Sequence, residues 1–358
     1  MLRDARYLLA YTLPLTALVA LTWRGPWSYA TLAYAFGLLP VLDQLLPRAR
    51  ANEDGEESDS RLASRFFDGL LYANLPIFYG LLAYGLWVVT SEPLAAYEVV
   101  GLTLSLGIVA GTLGINVAHE LGHRPTRAEQ VLAKALLTPC LYTHFFVEHN
   151  RGHHRRVATP DDPATARLGE PIYRFWLRSV GGSYAAAWRL ERERLARADE
   201  PAWQWGNEMV RLTAAQLVYL AVVAGVFGVA GLAFAVGVAV VGFLLLESVN
   251  YIEHYGLVRR RLASGRYEPV TPAHSWNSEH EMGRIVLYEL TRHADHHYKA
   301  TRPYQTLRYL PESPELPLGY PGSILMALVP PLWFGVMDPR VYRAQAATPA
   351  SMAAAPTT

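Results

Sequence analysis

Cysteine is almost missing: Cys140 is the only one in 358 residues. A lone thiol excludes an intramolecular disulfide framework, a four-cysteine zinc site and a cysteine-held iron–sulfur centre. Any electrons the chain uses must therefore come from another molecule. Charge is scarce as well, at 18% of residues, whereas 51% are hydrophobic and the mean hydropathy is +0.10. That composition is too apolar for an average soluble domain, so part of the chain belongs in lipid. Lysine is nearly absent. The basic residues are almost all arginine and crowd into particular loops under a formal net charge of +1, which makes no general nucleic-acid-binding surface. Nucleic acid is not an expected partner.

What is present in quantity is long apolar sequence. The run from Tyr7 to Trp23 has the look of a signal peptide, but a second run from Tyr29 to Leu46 follows at once, and a hairpin turning at Gly25-Pro26 accounts for both. Further runs extend from about Phe67 to Thr90 and from Tyr97 to Val117, and two more are fused between about Val210 and Asn250, where Gly225, Gly228 and Gly231 offer a turn. Each approaches the roughly 20 residues that span a bilayer. The expected fold is all-α and integral to a membrane, with six spans.

Residues 1–256 are expected to form the bundle, with an insert at 119–209 between spans four and five. Residues 257–342 form a C-terminal part, and 343–358 an Ala/Thr-rich disordered tail. Ile324 to Val336, interrupted by Pro330-Pro331, is short for a span and is expected to pack on the core or lie at the interface. Arg48, Arg50, Arg61 and Arg65 lie between spans two and three and many arginines lie between His123 and Arg211, while the opposite loops hold only Arg24. The positive-inside tendency then puts both termini and all the charged segments in the cytoplasm.

Nine of the twelve histidines occupy four short stretches. His119-Glu120-Leu121-Gly122-His123 has the H-E-x-x-H spacing that points two imidazoles at one metal from a helix. In Glu148-His149-Asn150-Arg151-Gly152-His153-His154, α-helical geometry puts His149 and His153 on one face and turns His154 away by about 100°. His293-Ala294-Asp295-His296-His297 repeats that logic, and His254 adds one more imidazole after the sixth span. A zinc protease needs one further ligand, not seven more histidines. A basic patch would be better made of arginine. Nine imidazoles exceed the coordination of one ion, so two metals sharing them four and five apiece are expected, with zinc, copper, iron and nickel all compatible. Glu120, Glu148, Glu253 and Asp295 are expected to accept hydrogen bonds from the far ring nitrogens. His144, His274 and His280 are expected to pack nearby without binding metal. Small residues Ala33, Ala35, Gly37 and Gly111 leave room for a narrow apolar channel.

These stretches, with Val157 to Pro163, Asn250 to Leu257, His274 to Ser278, Leu290 to Leu307 and Gly319 to Gly322, resemble the membrane di-iron alkane 1-monooxygenases over most of the chain, from about Leu38 to Val341. The resemblance implies two irons held by His119, His123, His149, His153, His154, His254, His293, His296 and His297. It also implies terminal hydroxylation of medium- to long-chain alkanes with dioxygen at the bacterial inner membrane. Electrons would come from rubredoxin through an NADH-dependent reductase; a rubredoxin fused within these residues is excluded by the single cysteine. Xylene side-chain monooxygenases and fatty-acyl desaturases share the ligand logic. A membrane metal transporter is a rival of another class, but its ligands belong near the bilayer midplane rather than at span ends.

Overall fold

A computed structural model describes residues 4–347, and 348–358 of the expected tail lie outside the described residues. Within them the fold is helical, with β pairing limited to isolated bridges such as Arg48 with His280. Helix α1 (Asp4–Trp23) and the helical tract α2 (residues 25–45) make the first hairpin, turning at Gly25-Pro26. Its register is held where the Thr12 and Tyr34 hydroxyls meet at 2.5 Å and Thr16 donates to Thr31 at 3.2 Å. Helix α3 (Arg65–Ser91) starts at Ser64, whose hydroxyl accepts from the Phe66 amide. Helix α4 (Ala96–His123) starts where the Glu98 carboxylate accepts from the amides of Ala95 and Gly25, at 2.8 and 2.7 Å. These side-chain bonds satisfy amides that a helix start leaves without partners.

Helix α5 (Arg127–Leu137), the helical segment α6 (residues 144–156) and the amphipathic α7 (Ile172–Ala196) follow, and then α8 (Glu208–His254). A straight helix of 47 residues would be about 70 Å long at a rise of 1.5 Å per residue. Its two ends nevertheless meet the same short stretch, since Glu208 takes Arg151 at 2.7 Å and Glu247 takes Tyr142 at 2.6 Å. The helix therefore doubles back, and the break is Gly228, at φ 65° and ψ −167°, a conformation open to a residue without Cβ. This is the turn expected between the fifth and sixth apolar runs.

The returning leg of α8 lies close against α4. A Cβ at Gly107 would come within 2.3 Å of Val241 Cβ, and one at Gly242 within 2.9 Å of Ala110 Cβ. Such small residues let membrane helices approach backbone to backbone, and the approach sets His119 and His254 opposite each other at neighbouring helix ends. Among the described residues four helices, α1, α3, α4 and α8, are long and apolar enough to cross a membrane.

Beyond α8, the chain carries α9 (His293–Tyr298) on a loop fixed by buried ions. Arg284 holds Glu289 at 2.7 Å, Arg292 holds Glu279 at 3.2 Å, and Tyr7 of α1 donates to Glu289 at 2.6 Å. Removing one member of such a buried set costs about 3–5 kcal/mol, because its partner is left charged and dry. Helices α10 (Tyr320–Ala327) and α11 (Pro330–Ala347) meet at a bend of 119°, with prolines at the break. Ile324, Ala327, Trp333 and Met337 bury against Tyr251 and Tyr255, so this apolar piece does pack on the core. Helix α11 runs on from Tyr342 to Ala347, into the stretch expected to be disordered.

Candidate metal centre

The four histidine stretches converge at the ends of α4 and α8, with α6 and α9 laid across them. His119, His123, His149, His154 and His296 bring five ring nitrogens within 4.8 Å of one another, and His153, His254, His293 and His297 form a second such group of four. In the first, Nε2 atoms lie 2.9 Å apart for His119 and His296, 3.1 Å for His123 and His149, and 3.1 Å for His154 and His296. In the second the spacing is 3.2 Å for His153 and His297, 3.2 Å for His254 and His293, and 2.9 Å for His293 and His297. Two donors bonded to one metal at about 2.1 Å and a right angle stand about 3 Å apart. A neutral imidazole has a single N–H, so five nitrogens facing one another cannot all be satisfied among themselves. The donor set fits a transition metal in each group.

Burial works against charge on these rings, as metal ligation requires. It pushes His149, His293, His296 and His297 well below the ordinary imidazole range, and neighbouring histidines push further. For His153 burial also opposes charge, but the Asp162 carboxylate outweighs it and raises the pKa. Asp162 Oδ2 lies 2.9 Å from His153 Nδ1. That contact puts the proton on Nδ1 and leaves Nε2 as the donor.

Helix register decides which ring joins which group, and here the α-helical expectation fails. Over His149–His153 the turns of α6 widen to the π form, which brings residue i over i+5. His149 therefore meets His154, with Nε2 atoms 3.0 Å apart, while His153 turns to the other group. On α9, an ordinary turn brings His293 to His297 and sends His296 across to His119.

The carboxylates also depart from expectation, because arginines and tyrosines reach them first. Glu120 accepts from Arg124 at 3.0 Å and from the Tyr304 amide at 3.2 Å. Glu148 accepts from Arg156 at 2.7 Å, and burial followed by the nearby Asp162 charge pushes it up to about 7. Asp295 takes the Arg308 amide at 2.9 Å and the Arg302 guanidinium at 3.4 Å. Of these four carboxylates only Glu253 touches a ring of either group, with Oε2 3.2 Å from the inward-facing His293 Nε2 while Tyr320 donates to Oε1 at 2.6 Å. Asp162 and Tyr320 lie in the Val157–Pro163 and Gly319–Gly322 stretches that carry the family resemblance, but sequence assigned neither a role: Asp162 sits eight residues past His154 in a loop, and no spacing rule links the two. Trp276 and Asn277 buttress the site, through the Trp276 amide to Glu253 O at 2.8 Å and Asn277 Oδ1 to the Ala294 amide at 2.8 Å. His144, His274 and His280 join neither group.

An apolar cavity lies between α1, α2, α4, α8 and the C-terminal part, a turn away from the histidines. It is lined by Leu13, Ala35, Ile108, Gly111, Leu245, Leu287 and others, and reaches Asn116 one turn before His119 and Leu290 just before His293. Of the four small residues expected to line a channel, Ala35 and Gly111 line this cavity. Ala33 and Gly37 lie on the outward face of α2, Ala33 beside Thr16 and Trp23 in a separate groove.

The fold and site together define a class: an all-helical membrane protein built around a histidine site compatible with two metals. The model of the fatty acid desaturase family matches residues 95–322, a span that contains all nine histidines. An alkane 1-monooxygenase of Pseudomonas putida is 43% identical over 87% of this chain and 77% of its own length, and alkane 1-monooxygenase 1 of Alcanivorax borkumensis is 42% identical over 90% and 80%. A xylene/toluene monooxygenase hydroxylase component of Pseudomonas putida is 30% identical over 93% and 87%. The chain belongs to the alkane 1-monooxygenase family, and it is an oxidoreductase.

Proposed function

We propose that this chain hydroxylates the terminal carbon of medium- to long-chain linear alkanes, giving primary alcohols. Two irons are held by His119, His123, His149, His154 and His296 on one side and His153, His254, His293 and His297 on the other. Electrons come from a separate rubredoxin, itself reduced by an NADH-dependent reductase. The observation that carries this reading is the apolar cavity whose lining ends at Asn116 and Leu290, each three residues from a histidine of the site. A linear alkane has no polar handle, so contact and shape along Leu13, Ile108 and Leu287 are what can align its end with the metals. Relatives named alkane 1-monooxygenase reach 36 to 43% identity against 30% for the xylene/toluene relative, which favours a linear substrate.

An alkane C–H bond is not usefully acidic, so the cavity needs no acid–base pair; the irons, when bound, supply the redox chemistry that activates dioxygen. The protein's part is positioning. Asp162 fixes the tautomer of His153, Tyr320 holds Glu253 beside His293, and Asn116 closes the seam between α4 and the C-terminal part by donating to Leu287 O at 2.9 Å. One oxygen atom enters the alcohol and the other leaves as water, taking up two electrons and two protons.

The chain is read as crossing the inner membrane of a bacterium six times, α2 and the two legs of α8 included. Termini and histidines face the cytoplasm. Residues 1–256 form the bundle with its 119–209 insert, and 257–342 complete the site. The arginine-rich face would attract an acidic electron carrier at long range. The test is iron-loaded protein in lipid with rubredoxin, reductase, NADH and linear alkanes of graded length. Primary alcohol and two irons per chain are expected; no alcohol from any of them overturns the proposal.

A further inference from the structure

The outer face of α7 has no role in the site, yet it is unusually apolar for a surface helix. Tyr173, Leu177 and Tyr184 stand 48%, 83% and 43% exposed. With Gly181 and Trp188 they form one stripe, at the spacing of an α-helix face. The loop after α7 extends it: Trp203 and Trp205 are 79% and 68% exposed, and Trp203 packs on Trp188 with ring centroids 5.2 Å apart. Beside the stripe, one step further round the helix, lie exposed Arg174, Arg189 and Arg192.

We infer that this stripe is a membrane-contact surface, seated at the boundary between acyl chains and headgroups of the leaflet on the histidine side. Depth supports it. The first leg of α8, residues 208–227, is about 30 Å long at 1.5 Å per residue, which matches the hydrocarbon thickness of a bilayer. Its far end at Gly228 neighbours Gly231, whose Cβ would lie 3.4 Å from Thr90 at the end of α3. At that same far side Arg24 pairs with Glu92 at 3.0 Å and Trp23 packs on Trp27. The near end, Glu208, must then lie at the opposite interface, three residues after Trp205. Helix α7 is fastened at that level, with Glu191 accepting from the Glu208 amide at 2.7 Å and Trp176 donating to Ser248 at 3.2 Å. Charge supports it too: an apolar stripe flanked by arginines is what an interfacial helix offers to lipid phosphates, and tryptophan at such a level is an interfacial anchor. The occupant is the lipid itself, preferentially anionic.

The inference rests on the membrane placement of the bundle, so the experiment separates the two. Spin labels are attached at L177C, W203C, R192C and V218C in full-length protein, one variant at a time, in bilayers of phosphatidylcholine with and without phosphatidylglycerol. Cys140 is buried, and unsubstituted protein reports any label it takes up. Collision rates with oxygen and with a water-soluble nickel chelate are then compared. Val218, exposed in the middle of the first leg of α8, should favour oxygen and shows that the chain is inserted. The expectation at positions 177 and 203 is chelate access several-fold lower than at 192. Equal chelate access at 177 and 192, with 218 shielded, overturns the inference while leaving the membrane bundle standing. Spin–spin broadening at 177 at one label per chain would make the occupant a second copy, and overturns it as well.

Discussion

The Nε2 atoms of His149 and His154 lie 3.0 Å apart across a single widened turn, while His153 between them serves the other group. One helical segment thus contributes to both groups. His149→Ala and His154→Ala should each disturb the same metal, and His153→Ala the other. Metal analysis and Mössbauer spectra of iron-57-loaded variants check this: matching losses for 149 and 153, with 154 standing apart, would restore the α-helical register.

Asp162 is predicted to matter for metal retention although it is no ligand. Asp162→Asn keeps the shape but offers an amide to His153 Nδ1, and outer partners of this kind typically account for 10- to 100-fold in metal affinity. Competition with a chelator measures the effect. Unchanged affinity with intact folding would reduce the 2.9 Å contact to packing.

The buried rings predict a direction for acid sensitivity. Folding lowers the pKa of His149, His293, His296 and His297 through burial, so below the unfolded value near 6.5 the unfolded chain binds more protons than the folded one. Stability from these groups is present above about pH 6.5 and falls with pH by roughly 1.4 kcal/mol per unit for each. Thermal melting of chelated protein followed by circular dichroism should give midpoints that drop steadily from pH 7 to 5. A flat profile would mean the rings are wetter than the structure has them.

Ala33 and Ala35 sit two residues apart on α2 but on opposite sides, Ala35 in the cavity and Ala33 on the outer face. Ala35→Phe should shift the product spectrum toward shorter alkanes and cut turnover of the longest ones tested. Ala33→Phe should leave the spectrum unchanged. Identical chain-length profiles for the two would remove this cavity from the substrate's path.

Much of this was open to sequence reasoning because it rests on type and spacing. Apolar runs of bilayer length gave the long helices, a glycine among three marked the turn at Gly228, and four histidine stretches at helix ends pointed to one site. What stayed hidden depends on register and on competition for partners. A π turn leaves no mark in the residue pattern, so His153 and His154 exchange the places that an α-helix assigns. Glu120, Glu148 and Asp295 lie next to histidines in the chain, but Arg124, Arg156 and Arg302 reach across space and take them. Asp162 gains its importance only once the loop after α6 folds back over His153.

The five-histidine group joins His119 to His296, and the loop that carries α9 is pinned to α1 through Tyr7 and Glu289. A nascent chain therefore has neither group complete until residues 296 and 297 have left the ribosome. Early spans are in lipid while their histidines still wait for partners, and the joining of the first helix to the C-terminal loop is what closes the site. Metal capture is accordingly a late event in the making of this protein, and a chain truncated before His293 should insert into membrane yet hold neither metal.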